Sequence, residues 1–134
     1  MSSLLFVYGT LKRGYHFHEA FLGEAQWVGD AVTVPRYRLY DCGEYPAMVT
    51  DLARGCAVRG EVFRVPEHLW PALDDLEDVD AGLYVREIVP LAEPFAGETV
   101  WGYRYLLSVA DFADLGAEWP VRRPVRRPVR RPVR

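Results

Sequence analysis

The sequence predicts an α+β domain: a small mixed, mostly antiparallel β-barrel or curled sheet with one or two short flanking helices. Three observations carry that expectation. The 134 residues, half of them hydrophobic and 13% aromatic, fit one domain able to bury its own core. Six or seven segments alternate apolar with polar residues or are rich in β-formers. Leucines recur at helical spacing over residues 67–78, and a second helix start is suggested near Ser108. Many strands with few helices favour a curled or closed sheet.

In chain order, Leu4-Leu5-Phe6-Val7-Tyr8 is an apolar strand stopped by Gly9. Tyr15 to Leu22 reads as a short helix or a loop. Ala25 to Val34 alternates, with a bend expected at Gly29-Asp30, and Arg36 to Tyr40 alternates again. Cys42 to Pro46 is a turn, Ala47-Met48-Val49 a short strand, and Ala57 to Val65 a clear one. Glu67 to Asp78 then switches to helical period, with Leu69, Leu73 and Leu76 on one face. Pro71 implies that the regular helix begins close to it. Tyr84 to Leu91 and Thr99 to Leu107 are two further strands, and Ser108 with Asp111 resembles a helix N-terminus.

Residues 121–134 repeat Pro-Val-Arg-Arg and carry seven arginines and no acid. A proline every four residues and little apolar content predict an extended or disordered tail after a domain at 1–120. The rest of the chain holds nine basic residues against 19 acidic ones, a net charge of −10. So acidic a body argues against nucleic-acid binding by the domain, and leaves the tail as the one segment suited to a polyanion. No apolar run reaches membrane-spanning length, and the N-terminus lacks the basic start of a signal peptide, so a cytoplasmic protein is expected. Cys42 and Cys56 are expected as reduced, partly buried thiols.

At 100° per residue, Glu77 borders the buried leucine face beside Trp70, whereas Asp74, Asp75 and Asp78 turn towards solvent. Burial, with Asp74 one turn back and Asp78 adjacent, should raise the pKa of Glu77. A general base near neutral pH needs that property. Helix geometry alone also permits a plain solvated acid at a helix end. The turn Tyr8-Gly9-Thr10-Leu11 is the second candidate. Gly9 permits backbone angles that other residues resist, which leaves adjacent N–H groups free to cradle a carboxylate or oxyanion. Thr10 adds a hydroxyl, and Lys12 and Arg13 bring positive charge. Neither a dinucleotide fingerprint nor a P-loop is present.

The strings FVYGTLKRG, YPAM, GEVFRV, LDDLED and LYVRE, in that order over Leu5 to Tyr105, resemble the γ-glutamyl cyclotransferase-like family. They are most similar to the members that act as γ-glutamylamine cyclotransferases. The resemblance implies a small mixed β-barrel with flanking helices and release of 5-oxoproline from a γ-glutamyl compound, without metal, nucleotide or other cofactor. It implies that Tyr8, Gly9, Thr10 and Leu11 bind the substrate through main-chain groups and that Glu77 is the catalytic acid/base. A γ-glutamylamine is the favoured substrate. Glutathione, a γ-glutamyl-amino acid, or a non-catalytic binding module on the same fold remain alternatives, and oligomeric state is left open.

Tyr45, Tyr84, Arg86 and Tyr105 are candidate pocket walls, Tyr84 and Arg86 because they alternate on one strand face. Glu61 reads as a structural acid paired with an arginine. The four tryptophans read as packing, His68 as a surface residue, and His16 and His18 lack a third metal ligand.

Overall fold

The computed structural model describes residues 1–120; the repeat tail and its expected conformation lie outside them. Strand β1 (Ser2–Val7) is the organising element. It pairs antiparallel with β5 (Arg59–Pro66) on one side and parallel with β7 (Val100–Tyr105) on the other. β2 (Gln26–Val32) flanks β5 and β6 (Tyr84–Ile88) flanks β7, giving a five-stranded sheet ordered β2-β5-β1-β7-β6. β3 (Tyr37–Asp41), β4 (Pro46–Thr50) and β8 (Ala113–Gly116) form a second, antiparallel sheet in the order β4-β3-β8.

β1 is apolar without alternation because both of its faces are covered. Leu4, Phe6 and Tyr8 enter a core with Leu39, Met48 and Val62. Leu5, Val7 and Leu11 enter the other, with Phe63, Val65, Trp70 and Leu73. Each large side chain so buried contributes about 1.5–3 kcal/mol of transfer free energy. Helix α1 (His18–Leu22) buries Leu22. Helix α2 (Trp70–Leu76) follows a 3₁₀ turn at Glu67–Leu69 and lays Trp70 and Leu73 against the second core.

The strands expected from the sequence form within a few residues of their predicted bounds, and β1–β7 is the one parallel pair among the described ladders. Three readings are corrected. β2 runs straight through Gly29-Asp30, because the irregularity is a bulge between Trp27 and Gly29 while Asp30 stays paired with Glu61. No helix starts at Ser108. Its hydroxyl instead accepts the Ala110 N–H at 3.2 Å in a local turn, and the chain proceeds into β8. The regular part of the 67–78 helix begins at Trp70, with Pro71 in its first turn as expected, but it ends at Leu76 instead of Asp78. The described residues hold eight strands in two sheets, and no continuous ladder closes them into a barrel. No helix among them is long and apolar enough to cross a membrane. Cys42 and Cys56 are free and half-buried.

Candidate active site

Where β1 ends, the chain crosses one wall of a cavity of about 130 Å³. The wall is the turn Tyr8-Gly9-Thr10-Leu11, and Glu77 and Asp78 stand in the lining with it. Tyr45, Pro46, Phe17, Leu76, Leu83, Tyr84 and Tyr103 also line the cavity. Two segments more than sixty residues apart in sequence therefore meet in one small, mainly apolar space.

The turn is held by its carbonyls. Gly9 O accepts from Lys12 N at 3.0 Å and Thr10 O from Phe17 N at 2.9 Å. Leu11 O lies 2.9 Å from His18 Nδ1, which must carry the proton because a carbonyl can only accept. The amides of Gly9, Thr10 and Leu11, by contrast, donate to no protein acceptor among the described residues. Dipoles fixed in this sense leave N–H donors for a ligand. Gly9 does not have a left-handed φ, contrary to expectation. Its lack of a side chain matters for space: a Cβ there would lie 2.7 Å from Cγ and Cδ of Pro46.

Glu77 is not within the helix proper but is its C-cap, its N–H bonded to Leu73 O at 3.1 Å. The next residue, Asp78, takes the left-handed conformation at φ 52°. Asp78 N bonds Asp75 O and Val79 N bonds Asp74 O, both at 3.1 Å, the pattern of a Schellman ending with aspartate where glycine is usual. This sharp reversal puts the Glu77 carboxyl into the cavity. Burial, and secondarily the Asp78 charge, push its pKa up to about 7. The polar groups coupled to it are the hydroxyls of Tyr8, Tyr45, Tyr84 and Tyr103, all held neutral by pKa values raised chiefly by burial.

Asp74 plays a different part from the one expected. It is half-buried rather than turned to solvent, and it does not raise the pKa of Glu77. Arg86 donates to it twice, Nε to Oδ1 at 2.8 Å and Nη2 to Oδ2 at 3.0 Å, and Tyr103 Oη donates to Oδ1 at 2.7 Å. Burial would push its carboxyl up, but these bonds outweigh it and hold the pKa below the usual range. The wheel angle alone missed this, because Arg86 from β6 and Tyr103 from β7 reach that flank of α2.

Asp78→Asn isolates the charge contribution, since asparagine tolerates the left-handed conformation. The expected outcome in a carboxyl NMR titration is a lower Glu77 pKa that stays above the ordinary carboxylate value, because burial persists. An unmoved titration would exclude Asp78 as a cause.

The other predicted residues divide. Tyr84 and Tyr45 line the cavity, and Tyr84 Oη donates to Pro46 O at 2.7 Å. Arg86 and Tyr105 do not; Arg86 lies over the Trp70 ring at 4.5 Å, and Tyr105 packs on Tyr84 at 5.2 Å. The positive charge expected beside the turn points elsewhere. Lys12 Nζ donates to Trp119 O at 2.5 Å, and the Arg13 guanidinium stacks on Trp27 at 4.1 Å, 3.5 Å from Glu61. Glu61 is thus the arginine-paired acid foreseen. His68 is at the surface beside Glu24 at 3.0 Å, and no group of three or more His, Cys, Asp or Glu among the described residues is placed to hold a metal. Sequence reading did not find Pro46, Phe17, Leu76, Leu83 or Tyr103. The YPAM string was the available signal for Pro46.

Residues 5–120 match the model of a family described as "Gamma-glutamyl cyclotransferase, AIG2-like". The chain is 42% identical over 105 residues to the Vibrio cholerae protein named "Putative gamma-glutamylcyclotransferase", covering 78% of this chain and 84% of that one. It is 39% identical over 80 residues to the gamma-glutamylaminecyclotransferase of Mus musculus, a match spanning 55% of this chain and about half (54%) of the mouse protein. The crystal structure of an AIG2-like protein from Mus musculus superposes with a TM-score of 0.64 at 31% identity, covering 81% of this chain and 78% of that one. A uropathogenic E. coli-specific protein shares the fold at a TM-score of 0.71 and 24% identity, with 87% and 92% covered. Taken with the order of its motifs, these matches show that the chain belongs to the gamma-glutamyl cyclotransferase, AIG2-like family.

Proposed function

We propose that the protein cyclises a γ-glutamyl compound to 5-oxoproline, with Glu77 as general acid/base and the Tyr8–Leu11 turn as the anion-binding wall. The observation that carries this reading is one cavity lined both by Glu77, with its pKa near 7, and by the turn whose Gly9, Thr10 and Leu11 amides meet no acceptor among the described residues.

The substrate's α-carboxylate or γ-carbonyl rests against those amides. Ionised Glu77 takes one proton from the α-ammonium, and the freed amine attacks the γ-carbonyl carbon, closing a five-membered ring. Main-chain N–H groups stabilise the oxyanion. As the C–N bond to the leaving group breaks, the proton on Glu77 and the second proton of the attacking nitrogen pass to the departing nitrogen, which leaves as ammonium. Glu77 ends ionised, as it began. Nucleophile and electrophile belong to one molecule, so holding the reactive conformer supplies much of the rate.

A γ-glutamylamine suits the site better than glutathione or a γ-glutamyl-amino acid. Among the described residues no Lys, Arg or His lines the cavity, whereas two acids do, so there a leaving group bearing its own carboxylate gains no partner and meets like charge. Incubation with a γ-glutamylamine, a γ-glutamyl-amino acid and glutathione, followed by mass spectrometry, tests this. 5-Oxoproline is expected chiefly from the amine. Turnover chiefly of glutathione would overturn the substrate class, and binding of all three without product would identify a non-catalytic module.

A further inference from the structure

We propose that Asp74 is a positioning residue: by tying α2 to β6 and β7 it fixes where Glu77 sits relative to the Tyr8–Leu11 turn. The inference rests on the acid/base reading of Glu77 and adds a residue that touches no substrate.

α2 has seven residues and no side-chain cap at its N-terminus, so its placement depends on tertiary contacts. Trp70 and Leu73 bury one face, but apolar packing is non-directional and leaves rotation and slide poorly set. Asp74 supplies direction. Its carboxylate takes the Arg86 fork and the Tyr103 hydroxyl, three bonds between 2.7 and 3.0 Å to two neighbouring strands. Arg86 is itself fixed, lying 4.5 Å from the Trp70 ring and 5.6 Å from that of Trp101. The Asp74 carbonyl anchors the helix ending through Val79 N, one turn around Glu77. On the far side, Tyr103 O accepts the Tyr8 hydroxyl at 2.6 Å. One side chain therefore links the helix that ends in Glu77 to the strand that holds the first residue of the anion-binding turn.

The test uses the full chain with Asp74→Asn and Arg86→Lys, each assayed well below its own Tm. Asparagine keeps one acceptor and loses the charged fork. Lysine preserves every formal charge and loses the two-pronged geometry. Asp74→Asn is expected to lower kcat by about 10- to 100-fold with KM nearly unchanged. In the same variant Glu77 is expected to titrate below the value near 7 in the parent protein, towards the ordinary 4.5. Arg86→Lys should shift both readouts in the same direction by less, and that shift cannot arise from altered charge. Wild-type kcat in both variants, or a fall in kcat with Glu77 still titrating near 7, would overturn the proposal. If Glu77→Gln proved fully active the acid/base reading would fall, yet Glu77's titration in these two variants would still decide whether Asp74 positions it.

Discussion

Glu77→Gln is expected to lower kcat/KM for 5-oxoproline release by ~10²–10⁴-fold, the range for loss of a general acid/base. In the parent protein kcat/KM should rise with pH along a limb centred near 7, since the free enzyme must hold Glu77 ionised to accept a proton. The same substitution should stabilise the fold at alkaline pH. A carboxyl raised from 4.5 to about 7 keeps its proton in the folded state between those pH values and loses it in the unfolded state. Stability therefore falls as pH rises from about 4.5 to 7, and at higher pH the ionised, desolvated carboxylate costs on the order of 2–3 kcal/mol, allowing for water at the cavity mouth. Glutamine removes that cost. Thermal unfolding should show Tm up by roughly 5–10 °C at pH 8, with the difference shrinking towards pH 4. Retained turnover in this variant would end the proposed mechanism. Lost turnover without the pH-dependent gain in Tm would mean that the carboxyl is better solvated than its position in the cavity indicates.

Gly9→Ala is expected to have the next largest effect, on rate more than on folding. The new methyl would fall 2.7 Å from two carbons of Pro46, a separation real Cβ atoms do not adopt. Pro46 cannot rotate away, being a ring at the start of β4 whose carbonyl also receives the Tyr84 hydroxyl. The turn must shift instead. Its carbonyls are tied to Lys12, Phe17 and His18, so the amides move with them. A displacement approaching 1 Å at an oxyanion site costs on the order of 10²-fold in rate, against about 1–3 kcal/mol in stability from overpacking. Steady-state kinetics and a thermal melt on one preparation separate the two. Wild-type kcat/KM in Gly9→Ala would show that the turn is not the anion-binding wall.

Much of this site was legible because it depends on short-range pattern. An apolar strand running into Tyr-Gly-Thr-Leu marks the turn, and leucine spacing over 69–76 brings Glu77 to the edge of the core. What escaped depends on contacts made across the chain. Gly9 is required by Pro46, 37 residues on, and not by its own φ. Asp74 looked solvated because a helical wheel knows nothing of Arg86 and Tyr103 wrapping that flank. Arg86 shares a strand face with Tyr84 by alternation, yet the Asp74 fork captures it before it can enter the cavity. No strand is expected over Ala113–Gly116, because Ala-Asp-Leu-Gly has little β-propensity. Pairing with β3 makes it a strand.

The central place of β1 has a consequence for how the protein is made. This strand leaves the ribosome well before its partners β5 and β7, which lie about 60 and 100 residues later in the chain. At ~5–20 residues per second, an apolar strand with two open edges waits on the order of 5–20 s for its second neighbour. The turn at its end gains Leu76, Glu77 and Asp78 in its cavity only when they too have emerged. Until β7 has emerged, Tyr8–Leu11 therefore sits in an unfinished sheet, and folding is set by late, long-range pairing instead of by local order.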